Sequence, residues 1–154
     1  MIPLSFPGGI SADADTQGRY AVSVRGEDLR THAGRVVLPP RETFGLLDLK
    51  IYGDTIAGTT HDYDHALWWT GADWLDLGPT AGQNAVAFDP SRHDLLICRP
   101  GPDEEWKTWT RRNVLTGAES SIQLRSGATG IRQITSDGTI VLAQDTYTGP
   151  PLWA

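Results

Sequence analysis

The densest group of chemically capable side chains in this sequence is the run His61, Asp62, Tyr63, Asp64 and His65. Imidazoles and carboxylates bind metals, accept hydrogen bonds and transfer protons. In an extended segment residues 61, 63 and 65 share one face, so both histidines would point one way and both aspartates the other. Two imidazoles fall short of the three or four ligands that a zinc site usually has. We therefore predict ligand binding at this cluster and no metal.

Further candidate ligand-binding residues combine charge with aromatic surface. An exposed indole is a platform for a sugar ring or an anchor for a protein partner. Carboxylates and guanidinium groups bind hydroxyl-rich or charged ligands through hydrogen bonds. These additional candidates are Trp69, Arg99, Asp103, Glu105, Trp106 and Tyr147.

Catalysis has weaker support than binding. A glycoside hydrolase needs two carboxyl groups facing each other across the substrate, and the sequence alone fixes no distance between its acidic residues. No nucleophile elbow, phosphate-binding loop or zinc-protease motif is present. No catalytic residue and no cofactor are therefore predicted. The carboxyl groups that would serve a hydrolase are Asp62, Asp64, Asp103, Glu104 and Glu105.

Composition excludes several classes of protein. The chain has 154 residues, 39% hydrophobic and 21% charged, which predicts a single globular domain over residues 1–154. A formal charge of −6 with scattered basic residues argues against a nucleic-acid partner. No stretch approaches the roughly 18 apolar residues of a membrane span. The only cysteine, Cys98, lies in an apolar run and is interpreted as a buried hydrophobic residue. No compartment is predicted.

The elements that position these residues are short strands joined by tight turns. Glycine and proline interrupt every helical pattern, whereas apolar runs flanking an Asp-containing turn recur four times. The second strands begin at Tyr20, Thr55, Leu95 and Thr139, at intervals of 35, 40 and 44 residues. Aspartates in such turns usually bond their own backbone, so Asp13 and Asp15 are not interpreted as calcium ligands. The hairpins occupy residues 10–24, 46–58, 85–98 and 131–143, and further strands are expected at 65–70, 74–77, 106–111 and 121–125.

The repeated apolar-Asp-Gly-apolar hairpins and the tryptophan-bearing third strands resemble the β-propeller superfamily. Residues 66–78 look like one unit of a propeller lectin, although neither a Trp-Asp dipeptide closing each unit nor a Ser-x-Asp-x-Gly-x-x-Trp box is present. The resemblance implies an all-β fold of about four short four-stranded blades, with residues 2–6 completing the last blade. A β-sandwich or jelly roll is the structural alternative.

In a propeller the loops between the second and third strands open on one face, and here those loops are polar and aromatic. They predict a non-catalytic binding or assembly module that presents this face to a glycan or a protein partner. A propeller-type carbohydrate hydrolase and a structural subunit of a virion or other particle are the alternatives. Four blades is small for such a ring, which leaves room for a homo-oligomer. The loops are residues 25–30, 60–65, 99–106 and 144–149.

Overall fold

The computed structural model describes residues 9–40, 44–103, 106–125, 131–134, 137 and 139–142. Every regular element among these residues is a β-strand, which confirms the all-β prediction. They contain no helix capable of crossing a membrane. The chain divides into two compact units, Met1–Leu77 and Gly78–Ala154.

The first unit contains two four-stranded antiparallel sheets in which neighbours in sequence are neighbours in space, β1-β2-β3-β4 and β5-β6-β7-β8. Antiparallel strands need only a short connection, and the Gly- and Asp-rich turns supply it. The last strand, β8, ends just past the division between the units. The strands are β1 (Gly9–Ala14), β2 (Tyr20–Val24), β3 (Leu29–Thr31), β4 (Gly34–Val36), β5 (Leu47–Tyr52), β6 (Thr55–Thr59), β7 (His65–Trp69) and β8 (Trp74–Pro79).

The second unit repeats this pattern with one four-stranded sheet, β12-β11-β10-β9, and the hairpin β13-β14. All four predicted hairpins are present, as are the four predicted further strands. Residues 2–6 and 143–154, on which the predicted completion of the last blade depends, lie outside the described residues. The strands are β9 (Val86–Asp89), β10 (Asp94–Pro100), β11 (Trp106–Asn113), β12 (Glu119–Arg125), β13 (Ile131–Ile134) and β14 (Ile140–Leu142).

Aspartate side chains organise the turns within the hairpins, as the sequence predicted. Asp15 Oδ1 accepts hydrogen bonds from the backbone N–H of Gln17 at 2.9 Å and of Arg19 at 3.0 Å. Asp89 Oδ1 accepts the N–H of Ser91 at 3.0 Å. Each bond gives a turn amide a partner that the sheet ladder does not provide. The aspartates are therefore part of the turn geometry.

The core of the first unit lies between its two sheets, because each strand alternates its side chains between two faces. Polar side chains join the sheets along one edge of this core: Ser11 Oγ accepts the N–H of Leu49 at 2.8 Å, and Asp13 Oδ2 accepts that of Ile51 at 2.9 Å. Asp13 thus lies in β1 and not in a turn, and burial raises its pKa. The core residues are Ala21, Leu29, Leu38, Leu46, Leu49, Ile56 and Leu67, with Val36, Ile51, Trp69 and Trp74 packed against them.

The core of the second unit centres on Trp109 and Cys98, both fully buried. Burial raises the pKa of the Cys98 thiol to about 12, so the side chain acts as a small apolar residue and not as a nucleophile, as the sequence indicated. The core residues are Ala85, Ala87, Leu96, Cys98 and Trp109, with Ala81, Ile122, Ile134 and Ile140 packed against them.

Candidate ligand-binding site on the first unit

The predicted cluster of residues 61–65 forms the turn between β6 and β7. The N–H of Tyr63 donates to the carbonyl of Thr60 at 2.8 Å, and the N–H of Thr60 donates to the carbonyl of His65 at 3.0 Å. Tyr63 adopts a φ of 58°, a left-handed conformation that bulky residues rarely take. Because the segment turns, the alternation argument that placed both histidines on one face of an extended strand does not apply.

The hydroxyl of Thr60 organises this turn. Thr60 Oγ1 accepts the backbone N–H of Asp64 at 3.2 Å and of His65 at 3.1 Å. The same hydroxyl donates to Asp62 Oδ1 at 2.8 Å. That last bond favours the ionised carboxylate and lowers the pKa of Asp62. The turn therefore has a fixed backbone and carries a carboxylate that is charged at neutral pH.

His65, the first residue of β7, lies between two aspartates. Its Nδ1 is 3.1 Å from Asp76 Oδ2 on β8, and its Nε2 is 3.4 Å from Asp64 Oδ2 in the turn. The hydrogen bond with Asp76 is the main reason that the pKa of His65 is raised above its usual 6.5, against a smaller opposing effect of burial. The ring is therefore protonated over a wider pH range than a free histidine.

A cavity of about 220 Å³ opens at this turn. Pockets for drug-sized ligands usually measure about 300–1,000 Å³, so this cavity suits one small ring or a short side chain. No group of three or more His, Cys, Asp or Glu side chains in the described ranges is placed to hold a metal ion. The cavity is lined by Thr60, His61, Asp62, Asp64, His65, Leu67 and Asp76.

An aromatic residue outside the predicted cluster borders the site. The ring centroids of Phe44 and His61 lie 4.8 Å apart with their planes inclined by 38°. The guanidinium carbon of Arg25 lies 5.7 Å from the Phe44 ring centroid, within cation-π range. Arg25 belongs to the β2–β3 turn and His61 to the β6–β7 turn. Phe44 therefore brings together two of the loops that the sequence predicted to share one face.

A second cavity, of about 410 Å³, lies beside the β2–β3 turn. The two acidic residues that line it already have partners: Glu27 pairs with Arg30 at 3.2 Å, and Asp28 Oδ1 accepts the N–H of Leu38 at 3.2 Å. Arg35 lies directly opposite Arg30 in the β3–β4 register. This cavity is therefore less acidic than the one at His65. It is lined by Gly26, Glu27, Asp28, Arg35, Leu38, Pro39 and Pro40.

The predicted site residues of the first unit do not all lie at the turn. Trp69 is at the far end of β7 from His65, so at about 3.3 Å per residue the two positions are roughly 13 Å apart along the strand. Its ring packs against Trp74 with centroids 5.5 Å apart and contributes to the core. Trp68 is buried and Trp69 is half-buried, as expected for adjacent residues on opposite faces. Phe44 is the exposed aromatic at the site.

The remaining predicted site residues belong to the second unit. Arg99 lies in β10 and donates from Nε to Thr110 Oγ1 at 3.1 Å. Asp103 lies in the β10–β11 connection, where its carbonyl accepts the N–H of Trp106 at 3.2 Å. Glu105 and Tyr147 lie outside the described residues. The structure thus groups His61 to His65 at one turn and Arg99, Asp103 and Trp106 around another.

Sequence reasoning missed three residues at the site, Phe44, Asp76 and Thr60. Phe44 stands in a segment without a strand pattern, and its only local signal is an aromatic residue followed by a glycine. Asp76 is a charged residue inside an otherwise apolar strand, and such a residue is a sequence signal of a functional side chain. Thr60 precedes the cluster at the position from which a hydroxyl can accept turn amides.

The arrangement combines an exposed aromatic ring with a carboxylate-lined cavity in the same unit. The ring offers apolar surface, and the carboxylates offer hydrogen-bond acceptors. These features describe a binding site without identifying a ligand. No family model, no curated protein and no solved structure is significantly similar to this chain.

Proposed function

We propose that the chain is a non-catalytic binding module that recognises a glycan through the loop face of its first unit. The observation that carries this proposal is the Phe44 ring beside the acidic cavity at His65. The ring is 47% exposed and contacts both His61 and Arg25. A partly exposed aromatic ring offers apolar surface to the C–H face of a sugar ring.

The cavity supplies the polar half of sugar recognition. Asp62, Asp64 and Asp76 present carboxylate oxygens, which accept hydrogen bonds from hydroxyl groups and cannot donate when ionised. A site with several acceptors and one apolar platform matches the two faces of a pyranose ring. The cavity volume of about 220 Å³ suits one sugar residue, with the rest of a chain outside.

The contacts of these carboxylates support binding without turnover. A glycoside hydrolase of the usual kind needs one carboxyl group kept protonated near neutral pH as general acid. The hydrogen bond from Thr60 lowers the pKa of Asp62, and Asp64 and Asp76 both contact His65. These contacts support a role as hydrogen-bond acceptors.

A glycan array with the wild-type chain and three variants tests the proposal. Phe44→Ala removes the platform and Asp76→Asn removes one acceptor, so each is expected to weaken binding of an array hit about tenfold. Leu115→Ala is the matched control, because it removes an apolar side chain that is 74% exposed in the second unit. Binding by the control should equal that of the wild type.

Two outcomes contradict the glycan proposal. An array on which the wild type binds no glycan overturns the glycan proposal and favours a protein partner or a role as a particle subunit. A hit whose affinity is unchanged by both Phe44→Ala and Asp76→Asn shows that a glycan binds elsewhere on the chain.

We further propose that the sheets are blades of a small β-propeller, with the N-terminal segment completing the last blade. The supporting observation is that three successive sheets share one strand order, each strand pairing with the next in the chain. Deleting residues 1–8 removes a strand from the last blade in this arrangement. Deletion is therefore expected to lower the free energy of unfolding in urea, whereas an unchanged value would contradict the proposed closure.

A further inference from the structure

Each ring nitrogen of His65 faces a different carboxylate. Nδ1 lies 3.1 Å from Asp76 Oδ2, and Nε2 lies 3.4 Å from Asp64 Oδ2. An ionised carboxylate only accepts hydrogen bonds, so both nitrogens must carry a proton for both contacts to be attractive. A neutral imidazole has one N–H and would turn a lone pair towards one of the carboxylates. Both contacts are therefore attractive together only when His65 is in the imidazolium form.

We propose that His65 is a pH switch of the candidate binding site: when protonated it holds Asp64 and Asp76 together, and when neutral it releases Asp64. Asp64 is the partner released because its contact is the longer one. The Asp64 side chain is also the more exposed, at 67% against 56% for Asp76. Water therefore replaces the ring at Asp64 more readily than at Asp76.

The released group is the carboxylate alone, because the backbone of the turn has separate bonds. The N–H of Asp64 donates to Thr60 Oγ1 and to Asp62 Oδ1, each at 3.2 Å. Neither bond involves the imidazole of His65. Loss of the ring proton thus changes which acceptors line the cavity while the β6–β7 turn keeps its shape.

The groups that face His65 set the pH range of the switch. Asp76 faces the ring from β8, Asp64 and Asp62 face it from the turn, and His61 lines the same cavity. At the end of β6, the hydroxyl of Thr60, which accepts the backbone N–H of His65, is neutral. Three carboxylates around one imidazole stabilise its charged form.

The sign of the pH dependence follows from this raised pKa. The state with both contacts predominates at pH values below the raised pKa that His65 has in the fold, and it is lost as the pH rises through that pKa. The midpoint for release of Asp64 therefore lies at a pH above 6.5, the ordinary pKa of histidine. The effect of this release on binding rests on the proposed function. Because a released Asp64 carboxylate can accept a hydroxyl group of the ligand, glycan affinity is expected to increase with pH.

An NMR titration of the whole chain tests the switch without any ligand. The ring nitrogens of His65 and the carboxyl carbon of Asp64 are followed from about pH 5 to about pH 9, a range that spans the histidine titration. The expected result is a His65 pKa above 6.5, with the Asp64 resonance moving at the same midpoint. Asp76→Asn should lower the pKa of His65.

Two variants separate the switch from general pH effects. His65→Gln has no titrating ring, so the Asp64 resonance should lose its transition in this range. His93→Asn is the matched control, because it removes a histidine at a turn of the second unit whose φ of 56° suits asparagine. The control should leave the Asp64 transition unchanged. A His65 pKa at or below 6.5, or an Asp64 resonance that does not follow it, overturns the proposal.

Measuring glycan-array binding at about pH 5 and at about pH 9, the two ends of the NMR titration, then tests whether His65 regulates binding. Any hit is expected to bind about tenfold more strongly at high pH, the equivalent of one good hydrogen bond to a charged group. Equal affinity at both pH values overturns regulation by His65. If the NMR transitions occur and no glycan binds at either pH, the proposed function is wrong and the switch itself stands.

Discussion

At the scale of single residues, the chain places its arginines in contrasting environments on one strand. Arg111 in β11 is buried and pairs with Asp89 at 3.3 Å and with Asp94 at 2.8 Å. The next residue, Arg112, reaches Glu119 at 2.9 Å in a more exposed pair. Adjacent residues of a strand face opposite sides of the sheet, so Arg111 is buried in the interior and Arg112 lies on the more exposed face.

We expect Arg111→Met to lower the free energy of unfolding by about 3–5 kcal/mol, because it leaves two carboxylates of the second unit without their shared cation. Arg112→Met is the matched control and should cost about 1 kcal/mol or less, as exposed ion pairs usually do. Urea denaturation of both variants makes the comparison. Equal losses would mean that the Asp89–Arg111–Asp94 group is not buried as the structure has it.

At the scale of elements, hydroxyl and carboxylate side chains connect one sheet of the first unit to the other. Ser23 on β2 is fully buried, and its Oγ accepts the N–H of Leu46 at 2.8 Å. Ser11 and Asp13, two residues apart on β1, bond to Leu49 and Ile51, two residues apart on β5. The spacing matches because alternate residues of a strand face the same side. These bonds give the amides of Leu46, Leu49 and Ile51 acceptors from the other sheet.

Replacing Ser23 with alanine should lower the free energy of unfolding by about 1–3 kcal/mol, because the buried amide of Leu46 would lose its acceptor. Thr70→Ala is the control within the same unit. Its hydroxyl accepts the N–H groups of Ala72 and Asp73 at 3.3 and 3.2 Å in an exposed turn, where water can take its place. A Ser23→Ala variant as stable as Thr70→Ala would contradict the inferred role of the hydroxyl.

At the scale of the whole molecule, sheets with the same strand order are built into two compact units. Each unit has a core between its own sheets, drawn from different parts of the chain. The sequence predicted a single domain, and cooperative unfolding is the property that defines one. Compact units in the structure do not by themselves set the size of the cooperative unit.

A single domain predicts one unfolding transition in urea, with coincident midpoints for tryptophan fluorescence and far-ultraviolet circular dichroism. Tryptophans are suitable probes because Trp68, Trp69 and Trp74 lie in the first unit and Trp106 and Trp109 in the second. Light scattering before unfolding gives the molar mass and so the oligomeric state. Two separated transitions would show that the units unfold independently.

The sequence by itself determined the four hairpins, their turns and four further strands, whereas β3 (Leu29–Thr31) and β4 (Gly34–Val36) were not among the strands it predicted. These features depend on local patterns: apolar residues at alternate positions set each strand, and Asp15, Gly53 and Asp89 set the turns between paired strands. Burial of Cys98 followed from the apolar residues beside it. The residues that determine each strand or turn lie within about ten positions of it in the sequence. Such features can therefore be predicted from the sequence alone.

Only the tertiary structure decided which side chains meet at the candidate site. The contact between His65 and Asp76 depends on the pairing of β7 with β8, and the contact of Phe44 with Arg25 and His61 depends on how two sheets pack. The sequence offered Trp69 as a candidate ligand-binding aromatic, and the structure has it half-buried, packed against Trp74 and the core. Residue type indicates what a side chain can do, but its partners are fixed by contacts between segments that are distant in sequence.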